Sequence, residues 1–396
     1  MTYWLEAWSS KEGTARVLAL YVDTFGEEPN MVWSAPGRVN LIGEHTDYNG
    51  GLALPIAIPF RTYAAISART DRTVRLISAQ EEGVRTVSLD EVGTFDSPDR
   101  VDGWPAYVVG VAWAMERETG ATVPGFDLAI DSCVPFGAGL SSSAALETAV
   151  VGALMDFAGI TASEEEQVRW CIQAENLIAG AKTGGMDQSA ALRCRKGFAL
   201  ALNCDDFTGQ QVPFAPEDSG ASLLVVDTRA PHALVDGQYA QRRAACEEAA
   251  SILGVDQLAD IRDLDAALVK LPSDVLKRRV RHVVTEIERT HEAIDVLRAG
   301  NYSALGPLFV ASHMSLRDDY EVTCPELDLV VDEAMAAGAI GARMTGGGFG
   351  GSAIALVPTD KVDEVADQID AAFAHRGFAQ PHFMMSPASF EPTRER

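Results

Sequence analysis

The spacing of apolar residues changes several times along this chain, and each change predicts an element. The first thirty or so residues read as a helix, punctuated by "LAL" and "FG". "MVWSAPGRVNLIG" reads as extended chain interrupted by its Ser-Ala-Pro-Gly cluster. "TYAAISA" and "VRLISA" alternate as strands of a hairpin or meander, and "FDLAIDSCVP" is a further strand. From Ser141, the apolar residues Leu146, Ala149, Val150, Ala153, Leu154 and Phe157 recur at helical spacing, and Gly159 predicts where that helix stops. "EEEQVRWCIQAENLIAG" predicts a second amphipathic helix, acidic in its first turn as the helix dipole favours. "KGFALALNC" and "ASLLVVDT" suit buried strands, and residues from about 240 to 299 are mostly helical and highly charged. "GARMTGGGFGGSAIALVP" reads as strand, glycine loop, strand, and "KVDEVADQIDAAFAHRG" as a closing helix. Helices and strands mix in both halves, which predicts an α+β chain. Its 396 residues suit two domains. We place the division in the Pro-, Asp- and Gly-containing stretch 210–220, giving 1–212 and 213–396, with a glycine loop at 345–352 in the second.

Composition narrows the partners. A formal net charge of -25 argues against a nucleic-acid or anionic-membrane partner, which needs basic patches. An anionic ligand must then be held by local backbone N–H groups, a few Arg or Lys, or a metal. Screening over about 8 Å lets such a site ignore distant charge. The six cysteines form no CxxC pair and read as free thiols of a reducing compartment. The first residues show neither a basic start nor a long apolar run, and no window approaches a membrane span. A cytoplasmic protein is expected.

Two glycine loops carry candidate chemistry. In "VPFGAGLSSSAALETAV" a strand ends, glycines follow and a helix begins. That order aims several N–H groups and a positive helix end at one spot, a phosphate site. It is not a Walker loop, because GxxxxGK[ST] is absent. An ordinary serine N-cap is the plainer alternative, but a cap needs one serine, not three. "TGGGFGGS" matches GxGxxG, yet a strand follows where a dinucleotide fold requires a helix. It is a tight turn that either is purely structural or lines the site from the second domain.

"GEHTDYN" gathers Glu44, His45 and Asp47. Three readings stay open: a metal cluster at no standard spacing, a solvated polar turn, or acceptors for a ligand rich in hydroxyls. Asp187 in "AKTGGMDQSAAL" either caps a helix or is a carboxylate near the phosphate loop that accepts a hydroxyl proton.

Together, "GRVNLIGEHTDYNGG", "VPFGAGLSSSAA", "GGMDQ", "SLRDDYEVTCPELD" and "RMTGGGFGGSAIAL" resemble the galactokinase branch of the galactokinase–homoserine–mevalonate–phosphomevalonate (GHMP) kinase superfamily. The glycine-serine loop is common to the superfamily, whereas the first and fourth stretches are specific to the branch. The resemblance implies a two-domain GHMP kinase fold, with a mixed-sheet N-terminal domain, a ferredoxin-like C-terminal domain and the active site in the cleft between them. It implies phosphorylation of the anomeric hydroxyl of D-galactose by ATP with Mg²⁺. Glu44, His45, Asp47, Gly184 and Tyr239 would contact the sugar. Gly137, Ala138, Gly139, Leu140, Ser141, Ser142 and Ser143 would wrap the ATP phosphates, with Trp104 near the adenine. Ser143 and Glu175 would hold the Mg²⁺, Asp187 would be the catalytic carboxylate and Arg38 would stabilise the transition state. The Trp104 segment has Ala106 and Val109 where the family often has Asn and Lys. A monomer is expected, with galactose and ATP as its small-molecule partners. Rival implications are a kinase for N-acetylgalactosamine or L-arabinose, and a non-catalytic sugar sensor. Sensors of that type lose residues of the serine loop, which this chain keeps.

Overall fold

Residues 2–230 and 235–396 are described by the computed structural model. Two larger sheets organise the molecule. The first runs Thr393–Arg394, Met31–Asn40, Pro55–Ala68, Phe126–Ser132, Thr73–Ser78, Arg85–Ser88 in spatial order. Within it, Thr73–Ser78 pairs parallel to Phe126–Ser132. The strands expected to be neighbours in a hairpin, Pro55–Ala68 and Thr73–Ser78, are therefore separated by Phe126–Ser132. The helix Pro105–Thr119 precedes that inserted strand and packs its apolar face on the same core, so a longer-range pairing displaces the local one. The expected interruption in Met31–Asn40 is a bulge between Pro36 and Arg38 rather than a break. Gly37 sits in that bulge because a Cβ there would stand 2.7 Å from the Leu140 carbonyl. The bulge thus brings the start of the sugar-type motif against the glycine-serine loop, with Arg38 N–H donating to Leu140 O at 3.1 Å.

The second sheet runs Tyr3–Trp4, His382–Met385, Ala221–Asp227, Ser352–Pro358, Gly341–Thr345. Its last three strands pair antiparallel, and the loop between Gly341–Thr345 and Ser352–Pro358 is the second glycine motif. A small third sheet joins Leu52–Ala53, Phe198–Asn203 and Gly209–Pro213. Each terminal strand lies across the division expected at 212/213: Tyr3–Trp4 joins the second sheet and Thr393–Arg394 the first.

Helices cover both sheets, and one apolar cluster bridges them. Val39, Ile56, Ile58 and Phe60 of the first sheet share a core with Leu223, Val225, Ile354 and Leu356 of the second. Such a dry seam holds the two halves in register, unlike the polar interfaces of loosely hinged domains. The predicted helix from Ser141 is Ser142–Ala158, ending on Gly159 at φ 65°. The acidic helix Glu164–Gln173 opens on a capping box between Ser163 and Glu166. It departs from expectation at its end, where Ala174–Ala179 widens into a π-helical turn. A second π turn, Leu316–Tyr320, follows the helix Tyr302–Ser315. Among the described residues, no helix is long and apolar enough to cross a membrane. The six cysteines are free.

Candidate active site

The glycine-serine loop is held with its carbonyls turned away from a ligand. Ala138 O accepts from Ser352 Oγ at 2.7 Å, Gly139 O from Arg38 Nη1 at 2.6 Å, and Leu140 O from the Arg38 N–H. Gly137, Gly139 and Ser141 adopt φ values of 73°, 71° and 59°. Left-handed backbone of this kind gathers N–H groups into an anion-binding concavity. The second glycine motif is part of this brace. A Cβ at Gly346 would approach Gly139 O to 3.2 Å, and one at Gly351 would approach Ala138 O equally closely. Gly346 and Gly347 also line the cleft, so "TGGGFGGS" is both a close-packed turn and a wall of the site.

Ser141 occupies the N-cap position of Ser142–Ala158 but makes no capping bond. Its hydroxyl instead donates to Asp187 Oδ2 at 2.5 Å. Asp187, in the first turn of the helix Met186–Arg193, receives Arg38 Nε on its other oxygen at 2.8 Å. Glycine-serine loop, guanidinium and carboxylate thus converge from three segments far apart in the chain.

Ser143 Oγ donates to Glu175 Oε1 at 3.2 Å, and Gln188 Nε2 donates to the other Glu175 oxygen. Gln188 also reaches Glu147 Oε2 at 3.2 Å. Burial, then repulsion from Glu175, pushes the Glu147 carboxyl well above its usual range. Burial followed by the nearby Asp187 raises Glu175 to about 7. A cation beside Glu175 would reverse that shift.

One cleft of about 700 Å³ connects these groups to the acidic motif. Arg38, Glu44, His45, Asp47, Glu175, Asp187 and Tyr239 all face it. Asp47 is pushed up to about 6, by burial first and Asp187 second. His45 holds a left-handed φ of 63°, and burial, aided by His282, pushes its imidazole down to about 3, leaving the ring neutral. Glu44 is largely committed to structure. Its Oε1 accepts from Gly346 N–H at 3.0 Å and Thr345 Oγ1 at 3.3 Å, and its Oε2 meets the wholly buried Arg343 at 2.5 Å. A carboxylate offers about four acceptor directions, so one remains for a hydroxyl. Burial raises Glu44 against the opposing pull of Arg343.

Gly184 contributes by lacking a side chain: a Cβ there would stand 2.2 Å from Asp47 Oδ2. Gly184→Ala should therefore displace the Asp47 carboxylate and raise KM for a substrate held by that carboxylate at least tenfold, with a melting temperature close to that of the parent. Steady-state kinetics and a thermal melt check both halves.

Trp104, expected near a nucleotide base, packs against the helical core beside the first sheet. Among the described residues, Phe95 and Tyr107 are the aromatics at that end of the cleft, with Ala179 and Gly180. Tyr107 lies three residues after Trp104 and, unlike it, lines the cleft. Lys182 and Arg243 also face the cleft and were not anticipated. Among the described residues no group of three or more His, Cys, Asp or Glu is placed to hold a metal ion, Glu44, His45 and Asp47 included. Ser143 with Glu175 offers two hard oxygen donors, the sparse set that Mg²⁺ takes when phosphates and water complete its shell.

Residues 19–68 match the galactokinase galactose-binding signature, 106–195 the GHMP kinase N-terminal domain and 293–375 the GHMP kinase C-terminal domain. The chain is 47% identical to a galactokinase of Streptomyces coelicolor, over 91% of this chain and 92% of that one. It belongs to the galactokinase family. A galactokinase of Mycobacterium tuberculosis is 43% identical across 88% of this chain and 95% of its own. Among solved structures, Lactococcus lactis galactokinase complexed with galactose superposes with a TM-score of 0.90 at 33% identity, covering 96% of this chain and 99% of that one. Methanococcus jannaschii mevalonate kinase shares the fold, at a TM-score of 0.63 and 18% identity, over 90% of this chain and 98% of its own. The galactose-binding signature spans Arg38, Glu44, His45 and Asp47, and the N-terminal-domain match spans the glycine-serine loop, Glu175 and Asp187.

Proposed function

We infer that this chain transfers the γ-phosphoryl group of ATP to the anomeric hydroxyl of galactose. The observation that carries the reading is a single cleft in which groups able to hydrogen-bond hydroxyls, Asp47 and His45 above all, stand next to the Arg38–Asp187–Ser141 cluster on a glycine-serine loop. Such a cleft suits a polyhydroxy acceptor next to a phosphate donor. The family relationship supports galactose as that acceptor and a nucleoside triphosphate as the donor.

In this reading the sugar lies against Asp47, held beside the Gly184 backbone, and against His45 and Tyr239, with Glu44 giving its remaining acceptor direction. The phosphates rest on the N–H groups of Gly137–Ser143, and the base lies towards Phe95 and Tyr107 rather than Trp104. Asp187 accepts the hydrogen bond of the reacting hydroxyl and orients it. Arg38 reaches the transferring oxygens from the other side, where charge builds in a loose transition state. Mg²⁺, when bound by Ser143 and Glu175, would neutralise phosphate charge. We take the protein to act as a cytoplasmic monomer. Free cysteines agree with a reducing compartment.

A panel of sugars assayed for ADP release with Mg-ATP tests the function. Galactose should turn over fastest. Faster turnover of N-acetylgalactosamine or L-arabinose would reassign the substrate, and sugar binding without turnover would mark a sensor.

The raised Asp47 carboxyl yields a second check. Its folded pKa of about 6 exceeds the usual 3.8, so holding it ionised opposes folding as pH rises through 6 and does not below about 4. Asp47→Asn should raise the melting temperature by about 1–4 °C at pH 7, and the difference should vanish near pH 4. The same variant should lose most sugar affinity. An equal or lower melting temperature at pH 7 would show that Asp47 is not held against its solvation.

A further inference from the structure

Behind the sugar side of the cleft lies a buried chain of polar groups that the proposed reaction does not use. His45 Nδ1 is 2.8 Å from Tyr48 Oη, Tyr48 Oη is 2.8 Å from Tyr320 Oη, and Tyr320 Oη is 3.1 Å from Cys246 Sγ. Tyr320 and Cys246 are almost wholly buried. The opposite end of the imidazole, Nε2, is buried with no hydrogen-bond partner among the described residues, on a residue that lines the cleft. A buried polar atom left open at a ligand site is what a substrate hydroxyl satisfies.

Neutral imidazole carries one proton, so the partner of Nδ1 decides whether Nε2 donates or accepts. The neighbouring His282 shows the rule. Its Nε2 is 3.1 Å from the Glu44 carbonyl and its Nδ1 is 2.9 Å from Ser315 Oγ. A carbonyl only accepts, so His282 Nε2 carries the proton and Ser315 donates to Nδ1. His45 Nδ1 meets a phenol that can point either way, and the Gly347 backbone also acts on the ring, favouring its protonated form.

The chain has two complete orders. In one, Cys246 S–H donates to Tyr320, Tyr320 to Tyr48 and Tyr48 to Nδ1, leaving the proton on Nε2. In the other, every bond reverses, Tyr320 must donate to sulfur, and the thiol hydrogen is left over. Sulfur is a weak acceptor, whereas a phenol donating to an imine nitrogen is a strong match. Burial raises both phenols and the thiol, so all three keep their protons near pH 7. The first order is the better match of donor to acceptor strength.

We propose that Tyr48, itself oriented by Tyr320, is a positioning residue that fixes His45 as the Nε2–H tautomer, so that the ring offers a donor to a sugar hydroxyl. This rests on the galactokinase reading above. It assigns a role to Tyr320 of "SLRDDY", a motif otherwise without one. The π turn Leu316–Tyr320 delivers that phenol beneath the His45 ring, with ring centres 4.7 Å apart.

The test uses full-length protein labelled with ¹⁵N-histidine. The parent should show His45 protonated at Nε2 in the absence of sugar. Tyr48→Phe should move the proton at least partly to Nδ1 and raise KM for galactose about tenfold, equivalent to about 1.4 kcal/mol. Both kcat and KM for ATP should stay within about twofold. Tyr320→Phe should act in the same direction and less. In a His45→Gln background, where an amide supplies a donor with no tautomer to choose, Tyr48→Phe should have no further effect on the sugar KM. An unchanged tautomer in Tyr48→Phe, or a Tyr48→Phe effect that persists in the glutamine background, would overturn the proposal. If the parent protein did not turn over galactose, the activity reading would fall instead, and the tautomer spectra would still decide the role of Tyr48.

Discussion

Replacing Arg38 with alanine is expected to lower kcat by about 10³-fold or more, with KM for galactose changed less than about threefold. Three features set that size. The guanidinium is nearly buried and meets Asp187 through Nε at 2.8 Å, so it stands where the acceptor hydroxyl and the phosphoryl group would meet. In phosphoryl transfer little covalent chemistry falls to the protein, and arginines that stabilise the transferring oxygens contribute about 10³–10⁵ in rate. Finally, Nη1 holds the Gly139 carbonyl, so its loss also loosens the phosphate loop and should raise KM for ATP. Arg38→Lys keeps the charge but not the fork, and should recover only a small part of the rate. A kcat within tenfold of the parent in Arg38→Ala would remove Arg38 from the transition state.

The second large effect is expected at Asp187. Asp187→Asn should reduce kcat by about 10²–10⁴, the range in which a positioned proton acceptor contributes, with sugar KM nearly unchanged. Asparagine is nearly isosteric, and its carbonyl oxygen can still accept from Arg38 Nε. The fold should therefore survive, and a thermal melt separates lost chemistry from lost structure. A fall near 10² would mean that the carboxylate mainly orients the hydroxyl, and one near 10⁴ that it also takes the proton. A near-normal kcat would exclude both roles. Because Arg38 and Asp187 touch, the double variant should lose much less than the product of the two single losses.

The sequence carried most of this site because its residues sit in compact local motifs. Arg38, Glu44, His45 and Asp47 fall within ten residues, and the glycine-serine loop opens a helix of strong apolar periodicity. What it concealed was partnership across distance. Ser141 reads as a helix cap, and only the fold brings Asp187, 46 residues later, to take its hydroxyl. Glu44 reads as a free acceptor, and only the second sheet supplies Arg343 and Gly346 to occupy it. The hairpin expectation failed because alternation identifies a strand but not its neighbour, and the later strand Phe126–Ser132 entered between. Neither π turn was legible. Widening a helix by one residue per turn leaves apolar spacing almost intact, yet it aims Glu175 and Tyr320. Likewise Trp104 and Tyr107 share one aromatic-rich segment, and only the packing decides which reaches the cleft.

The crossing of the two terminal strands bears on how the molecule comes apart. Tyr3–Trp4 is an edge of the second sheet and Thr393–Arg394 an edge of the first, so each half is closed by the opposite end of the chain. A protein expressed as residues 1–212 would lack the last strand of its main sheet, and its complement 213–396 would lack the first strand of its own. The halves are then clasped like linked hands rather than strung like beads. Melting should proceed as one cooperative event, and a long fusion at either terminus would disturb the half that lies farther away in sequence.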